Sequence, residues 1–140
     1  MKDVEILLRG FAMLIDAHNY APSMVKFLNH FSRRCQPHSE TQNQYLANLF
    51  EAFLKLCVEL PADAFLKNGR FNVALYEGVF SAVCQNAFAT STLPQGRLTA
   101  AELKAVEADP EFSAATIEGT TQTKNVEKRL ERARALVAAR

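Results

Sequence analysis

The cysteines and histidines are the first side chains to consider as nucleophiles or metal ligands. Cys35 and His38 are three residues apart with His30 nearby, a spacing that one half of a zinc site could use. A structural zinc site needs four ligands, usually supplied by two such pairs, and the sequence offers only one. Cys57 and Cys84 lie in apolar runs, which favours buried thiols over activated nucleophiles. The sequence therefore predicts no metal site, no catalytic residues and no cofactor, and the chain by itself is not expected to be an enzyme.

Basic residues concentrate in the last part of the sequence. Residues 121–140 carry 6 Lys and Arg against 2 Asp and Glu, whereas residues 1–120 carry 10 against 13. The side chains that could contact nucleic-acid phosphates are Lys124, Lys128, Arg129, Arg132 and Arg134. Glu127 and Glu131 alternate with them, and no aromatic residue lies among them to stack on bases. A solvated helix face is the favoured interpretation, and a nucleic-acid contact is the alternative.

The composition limits the class of protein. A chain of 140 residues corresponds to one domain, and 49% hydrophobic with 22% charged residues is ordinary for a globular protein. A formal net charge of +1 gives no overall attraction to nucleic acid or membrane. Three cysteines, an odd number, argue against a disulfide framework and favour a reducing, cytoplasmic location. Acidic and basic residues interrupt the first apolar stretch, so no signal peptide is indicated, and no apolar run reaches the ~18 residues of a membrane span.

Residues 44–60 form the segment around which we expect the fold to be organised. On a helix their polar residues fall within a narrow stripe, and the remaining residues are apolar; the stripe is Gln44, Asn48, Glu51, Lys55 and Glu59. A helix of this kind must be covered on several sides. The sequence predicts an all-α fold, a single irregular bundle of about 6–8 helices around this central helix. Phe53 lies about opposite the stripe and is expected to be deeply buried.

The other predicted helices are bounded by capping signals and leave no strand pattern between them. Their ranges are 3–16, 23–34, 73–88, 99–108, 110–118 and 124–139. Capping boxes are expected at Ser39 and at Thr99, Asn72 has the character of an N-cap, and Asp109 before Pro110 is a further expected N-cap. The apolar helix 73–88 is expected to pair with helix 44–60 at the centre. Gly78 would permit a close crossing between those two helices.

Residues 1–13 and 20–31 resemble the helical C-terminal part of a large bacterial domain-of-unknown-function family. That family includes the N-terminal half of GmrSD-type, modification-dependent restriction endonucleases. The matching residues are Asp3, Glu5, Leu8, Arg9 and Phe11, then Tyr20, Ser23, Phe27, Leu28 and Asn29. Residues 70–80 resemble the start of the family's next helix, and residues 109–133 resemble its last block, with a Gly-Thr turn and a Val-x-x-Arg helix.

The resemblance implies that this chain is the helical portion of a larger restriction or phage-defence protein. In the family, the chemistry is associated with an upstream α/β domain similar to the ParB and sulfiredoxin folds. That domain carries an Asp-Gly-Gln-Gln-Arg signature, which this sequence lacks. The chain is therefore expected to be a non-catalytic domain that packs on an upstream domain of nuclease or NTPase type, with DNA as a possible partner of the whole protein. The alternatives are a stand-alone helical adaptor and a small helical DNA-binding protein.

Helix 3–16 supplies the expected contact with the upstream domain, through Asp3, Glu5, Ile6 and Arg9. Glu5 and Arg9 have i,i+4 spacing, and for these two residues a solvated ion pair is the favoured interpretation, with the upstream-domain contact as the alternative. Val4, by contrast, is assigned to the stripe that faces the core, together with Leu8, Phe11 and Ile15. Ile6 lies away from that stripe, so an apolar surface around it could also support a homodimer.

Overall fold

The computed structural model describes residues 2–140, which form seven α-helices and one short hairpin. The elements are α1 (Lys2–Asp16), a 3-10 helix (Ala17–Asn19), α2 (Met24–Cys35), α3 (Glu40–Leu56), β1 (Leu66–Lys67), β2 (Arg70–Phe71), α4 (Val73–Ala89), α5 (Ala100–Ala108), α6 (Pro110–Ala114) and α7 (Thr123–Leu136). The predicted all-α class is confirmed. Within the described part of the chain, no helix has both the length and the apolar character needed to cross a membrane.

The central helix is α4, and the expectation that helix 44–60 is central was wrong. Residues 75–84 of α4 are all buried, because α1 and α7 pack against it along with α3 and α5. In α3 only Leu49, Phe53 and Leu56 are buried, and Leu54 is exposed. Many apolar residues in a helix do not by themselves make it central, because much of any protein surface is apolar. The near absence of charge in α4, which carries only Glu77, is the better indicator.

The close crossing predicted at Gly78 exists, but its partner is α7 rather than helix 44–60. A Cβ atom on Gly78 would lie 2.9 Å from the Cβ of Ala133. Gly10 of α1 meets α4 in a similar way, since a Cβ there would overlap the ring of Tyr76. The two glycines allow α1 and α7 to approach α4 at close range.

The apolar core has a main cluster around α4 and a second cluster between α1, α2 and α7. Phe53 is 2% exposed, which confirms the predicted burial. Its ring meets Phe80 edge-on, with centroids 5.0 Å apart, and Phe11 meets Phe80 in the same manner at 5.4 Å. Edge-to-face aromatic pairs of this kind add to the free energy gained from burial.

Several predicted helix starts are confirmed by their hydrogen bonds. Ser39 and Thr99 open α3 and α5 with complete capping boxes. Asn72 accepts from the backbone N–H of Leu75 at the start of α4, and Asp109 does the same for Phe112 at the start of α6. In each case the side chain satisfies a backbone donor that the first turn of a helix leaves free.

The hairpin β1–β2 was not expected, because the sequence predicted no strands. Leu66 pairs with Phe71 and Lys67 pairs with Arg70, around a two-residue turn at Asn68 and Gly69. Both turn residues have positive φ angles, 53° and 75°. Asn-Gly is the preferred pair for such a turn, because these residues adopt positive φ most easily. The signal was present, but two-residue strands are too short to show an alternating pattern.

Candidate functional site

A buried ion pair joins α1 to the central helix. Arg9 Nε donates a hydrogen bond to Glu77 Oε1 at 2.5 Å, and the Glu77 side chain is 2% exposed. Burial raises the pKa of Glu77, and the charge and hydrogen bond of Arg9 act in the opposite direction. The interpretation of Arg9 as one half of a solvated pair with Glu5 was therefore wrong. Arg9 points toward α4, because the narrow contact at Gly10 places this side of α1 against Tyr76.

Arg129 of α7 is the second arginine at this site, and it is 4% exposed. Its Nη1 atom donates to the carbonyl oxygens of Ala115 and Thr120, both at 2.9 Å. Burial lowers the pKa of Arg129, and the nearby charge of Glu77 opposes this. Among residues 2–140, Nε and Nη2 of Arg129 have no hydrogen-bond partner. The guanidinium group therefore has donors left after it has fixed the backbone beside it.

Arg9 and Arg129 line a cavity of about 490 Å³, which we call the arginine pocket. Its other charged side chains are Lys67 from β1 and Glu107 from α5. The remaining lining residues are Asn72, Ala74, Phe112, Ser113, Thr116, Thr120 and Thr121. The pocket thus combines positive charge with several hydroxyl groups, an arrangement suited to holding an anion.

The loop of residues 115–122, between α6 and α7, forms one wall of the arginine pocket. Tyr20 Oη donates to the carbonyl oxygen of Thr121 at 2.5 Å. Asn125 Nδ2 donates to the carbonyl oxygens of Glu118 and Gly119 at 3.0 and 2.8 Å. Together with Arg129, these side chains fix a segment that has no regular secondary structure of its own.

The predicted nucleic-acid residues of α7 are mostly engaged with the protein itself. Arg132 makes two hydrogen bonds to Asp109, at 3.1 and 3.0 Å, and Arg134 donates to the Ser81 hydroxyl at 3.2 and 2.7 Å. Lys128 lies between Glu111 and Glu131. Arg129 is 4% exposed, so little of its surface is open to a nucleic-acid backbone, and its suggested contact stays a prediction. Lys124 is exposed, and its suggested nucleic-acid contact stays a prediction.

Three of the four predicted interdomain residues, Glu5, Ile6 and Arg9, lie at a second concavity, between α1 and the hairpin. Glu5, Ile6, Arg9, Arg70, Phe71 and Val73 line it, and we call it the α1–hairpin groove. Asp3 and Glu5 are exposed, as a contact surface requires. Ile6 is half-buried against the main core, so it is not the free apolar side chain that was expected. Val4, assigned to the core, is 61% exposed, because α1 presents a different face to α4 than its apolar spacing suggested.

The thiols are in settings that suppress ionisation. Burial raises the pKa of Cys57 to about 11, and burial with the nearby Cys57 raises that of Cys84 to about 12. Burial also raises the pKa of Cys35, partly offset by Arg34. Because the thiolate is the nucleophile, these thiols are poorly reactive near neutral pH. Across residues 2–140, no group of three or more His, Cys, Asp or Glu side chains is arranged to hold a metal ion.

A third concavity has a mainly apolar lining. Ile15, Tyr45, Leu46 and Phe88 line it, together with the polar residues His38, Thr41, Gln42 and Ser91. His38 Nδ1 is buried without a hydrogen-bond partner among the described residues. We refer to this concavity as the His38 groove.

Comparison with known proteins adds no relative: no family model, no curated protein and no solved structure matches this chain. The resemblance to the GmrSD-type family therefore stays a prediction from the sequence.

Proposed function

We propose that this chain is a non-catalytic helical docking domain that packs on an α/β domain through the α1–hairpin groove. Following the family resemblance, the α/β domain is of the ParB- and sulfiredoxin-like type, within a cytoplasmic restriction or phage-defence protein. The role of the helical domain is then to hold its partner in place, and the chemistry belongs to the partner.

The mixed character of the α1–hairpin groove is the observation that supports docking. Phe71 is 39% exposed although it is aromatic, and Ile6 and Val73 add apolar surface beside it. Glu5 and Arg70 place opposite charges at its edges. Contacts between domains of one chain typically combine apolar and polar surface in this way.

A stand-alone adaptor is the second candidate, because the His38 groove offers an apolar surface for a partner helix. Amphipathic helices bind such grooves through apolar side chains one turn apart. A DNA-binding role is less well supported. Lys128 and Arg132 of α7 pair with carboxylates of this chain, so their positive charges are largely neutralised.

The docking proposal is tested with the α/β domain encoded upstream in the same gene, expressed as a separate polypeptide. We expect calorimetric titration to detect binding to the wild-type chain, and Phe71→Glu to abolish it. Leu93→Glu is the matched control, since Leu93 is 43% exposed and follows α4 at its opposite end. Arg70→Glu is a second groove variant that leaves the apolar contacts intact.

Unchanged binding by both groove variants would contradict the docking surface. If the gene encodes no such α/β domain, the adaptor becomes the better proposal. The non-catalytic role has its own test, incubation of the purified chain with DNA and with nucleoside triphosphates. Turnover that disappears when a residue of this chain is substituted would refute it.

A further inference from the structure

We propose that the arginine pocket binds the phosphate group of a small molecule. This site lies beyond the docking function, which uses the neighbouring groove. Arg9 and Arg129 supply the principal contacts, and Lys67 supplies a third positive charge at the hairpin.

The charges around the arginine pocket do not balance. Arg9 and Arg129 are the two cations whose fields act on Glu77, and Glu77 is the carboxylate that Arg9 contacts. Lys67 and Glu107 then contribute one positive and one negative charge to the lining. One positive charge remains beside a guanidinium that is almost fully buried. Buried charges are normally paired, because removing them from water is costly, so a bound anion would complete the arrangement.

The unused hydrogen-bond donors indicate where that anion would lie. Arg9 uses Nε for Glu77, and its two Nη atoms have no partner within residues 2–140. Arg129 uses only Nη1 and keeps Nε and Nη2. A guanidinium group recognises phosphate through two parallel N–H donors, and two guanidinium groups can serve several phosphate oxygens at once.

The hydroxyl groups and the size of the pocket favour a phosphate on a small molecule. Ser113 and Thr120 line the same cavity, and their hydroxyl groups can donate to further ligand oxygens. A phosphate presents more oxygens for such contacts than a carboxylate does. A volume of about 490 Å³ is in the usual range of small-molecule sites. The fixed loop of residues 115–122 forms a wall on one side, which suits an enclosed ligand better than a polymer.

The test is a titration of the labelled protein with inorganic phosphate, followed by NMR at constant ionic strength. We expect saturable shifts in the amides of Thr116, Thr120 and Thr121 and in the side-chain Nε–H of Arg9 and Arg129. Acetate at equal concentration should give weaker shifts. A phosphate monoester should bind at the same residues, and a short DNA duplex should not displace it.

Two matched variants make the result specific. Lys67→Gln removes a charge from the pocket and should weaken phosphate binding by about tenfold, the effect of one charge-assisted contact. Lys55→Gln removes the same charge from the exposed face of α3 and should leave binding unchanged. Arg129→Lys keeps the charge but loses the planar donor group, and should weaken binding further. If Arg129→Lys does not fold, the two lysine variants decide.

Three outcomes would overturn the proposal. The first is the absence of saturable shifts at the pocket. The second is an equal effect of Lys67→Gln and Lys55→Gln, which would indicate general charge screening. The third is tighter binding of the DNA duplex than of the phosphate monoester, which would assign the basic surface to nucleic acid.

Discussion

Phe53 is held between α3 and α4 by its edge-on contact with Phe80. Replacing it with alanine leaves a cavity in a closely packed core, so we expect Phe53→Ala to lower the free energy of unfolding by about 3–5 kcal/mol. Lys55→Ala, two residues away on the exposed side of the same helix, should cost less than about 0.5 kcal/mol. Urea denaturation measures the change in unfolding free energy for both variants. Similar midpoints for the two variants would show that α3 faces the core differently from the structure described.

Glu102 provides a test of pH dependence at a single residue. Arg140 Nη2 donates to both carboxylate oxygens, at 2.8 and 2.7 Å. Burial raises the pKa of Glu102, but the hydrogen bonds and charge of Arg140 outweigh this and lower it overall. A lowered pKa in the folded state stabilises the protein above the ordinary value of 4.5, and that stabilisation is lost as the pH falls below it.

Glu102→Gln removes the charge while its amide can still cap α5. We expect a loss of about 0.5–1 kcal/mol in unfolding free energy at neutral pH, since the pair is partly solvated. The difference from wild type should shrink as the pH is lowered through 4.5. Thermal unfolding over a pH series measures this difference in stability, with Glu127→Gln on an exposed part of α7 as the control. A difference that stays constant across the series would mean that the carboxylate charge contributes nothing.

The candidate site shows the limit of sequence reasoning at the residue scale. Glu77 could have been found, because a lone acid in the most apolar helix signals a buried, paired carboxylate. Its partner could not, because Arg9 is 68 positions away and only the packing of α1 on α4 brings them together. Arg129 was identified as basic, but its burial depends on the loop of residues 115–122 folding around it.

At the scale of elements, the crossing of α4 and α7 gives a prediction with an unusual sign. Alanine normally stabilises a helix by about 1 kcal/mol relative to glycine. At Gly78 the new methyl group would overlap Ala133, so Gly78→Ala should instead destabilise the protein by about 1–3 kcal/mol.

The double variant Gly78→Ala with Ala133→Gly exchanges the two side chains across the crossing. It should recover most of the lost stability, because one methyl group again fills the space. Chemical denaturation of the two single variants and the double variant completes the thermodynamic cycle. Additive effects would mean that the two helices are not in tight contact.

The positions where helices begin were predicted most accurately, because a helix cap depends on only a few neighbouring residues. Ser39, Asn72, Thr99 and Asp109 all cap the helices expected of them. It was harder to predict which helix is the most buried, because burial depends on which helices pack together over long sequence separations. That is why α3 was assigned the position that α4 occupies.

For the whole molecule, self-association through α1 stays a prediction, and Val4 is a better position than Ile6 for the variant that tests it. Ile6 packs on the core of its own chain, so Ile6→Glu should destabilise the fold by about 1–3 kcal/mol. Val4 is exposed, and Val4→Glu should change stability by less than about 0.5 kcal/mol. Sedimentation equilibrium of the Val4 variant beside wild type then reports on a dimer without disturbing the fold. A monomeric wild type would exclude self-association through this face.

The enclosure of α4 also determines how the protein opens on long timescales. Amide hydrogens in residues 75–84 lie beneath packed helices, so they should exchange with deuterated solvent only when the molecule unfolds globally. The exposed hairpin and the exposed half of α2 should exchange through local fluctuations, many times faster. The exchange rates of Val79 and Val83 therefore measure the unfolding free energy of the entire chain. A ligand bound to the folded state would slow exchange at these two residues by the factor that its occupancy dictates, even though neither residue lines the arginine pocket.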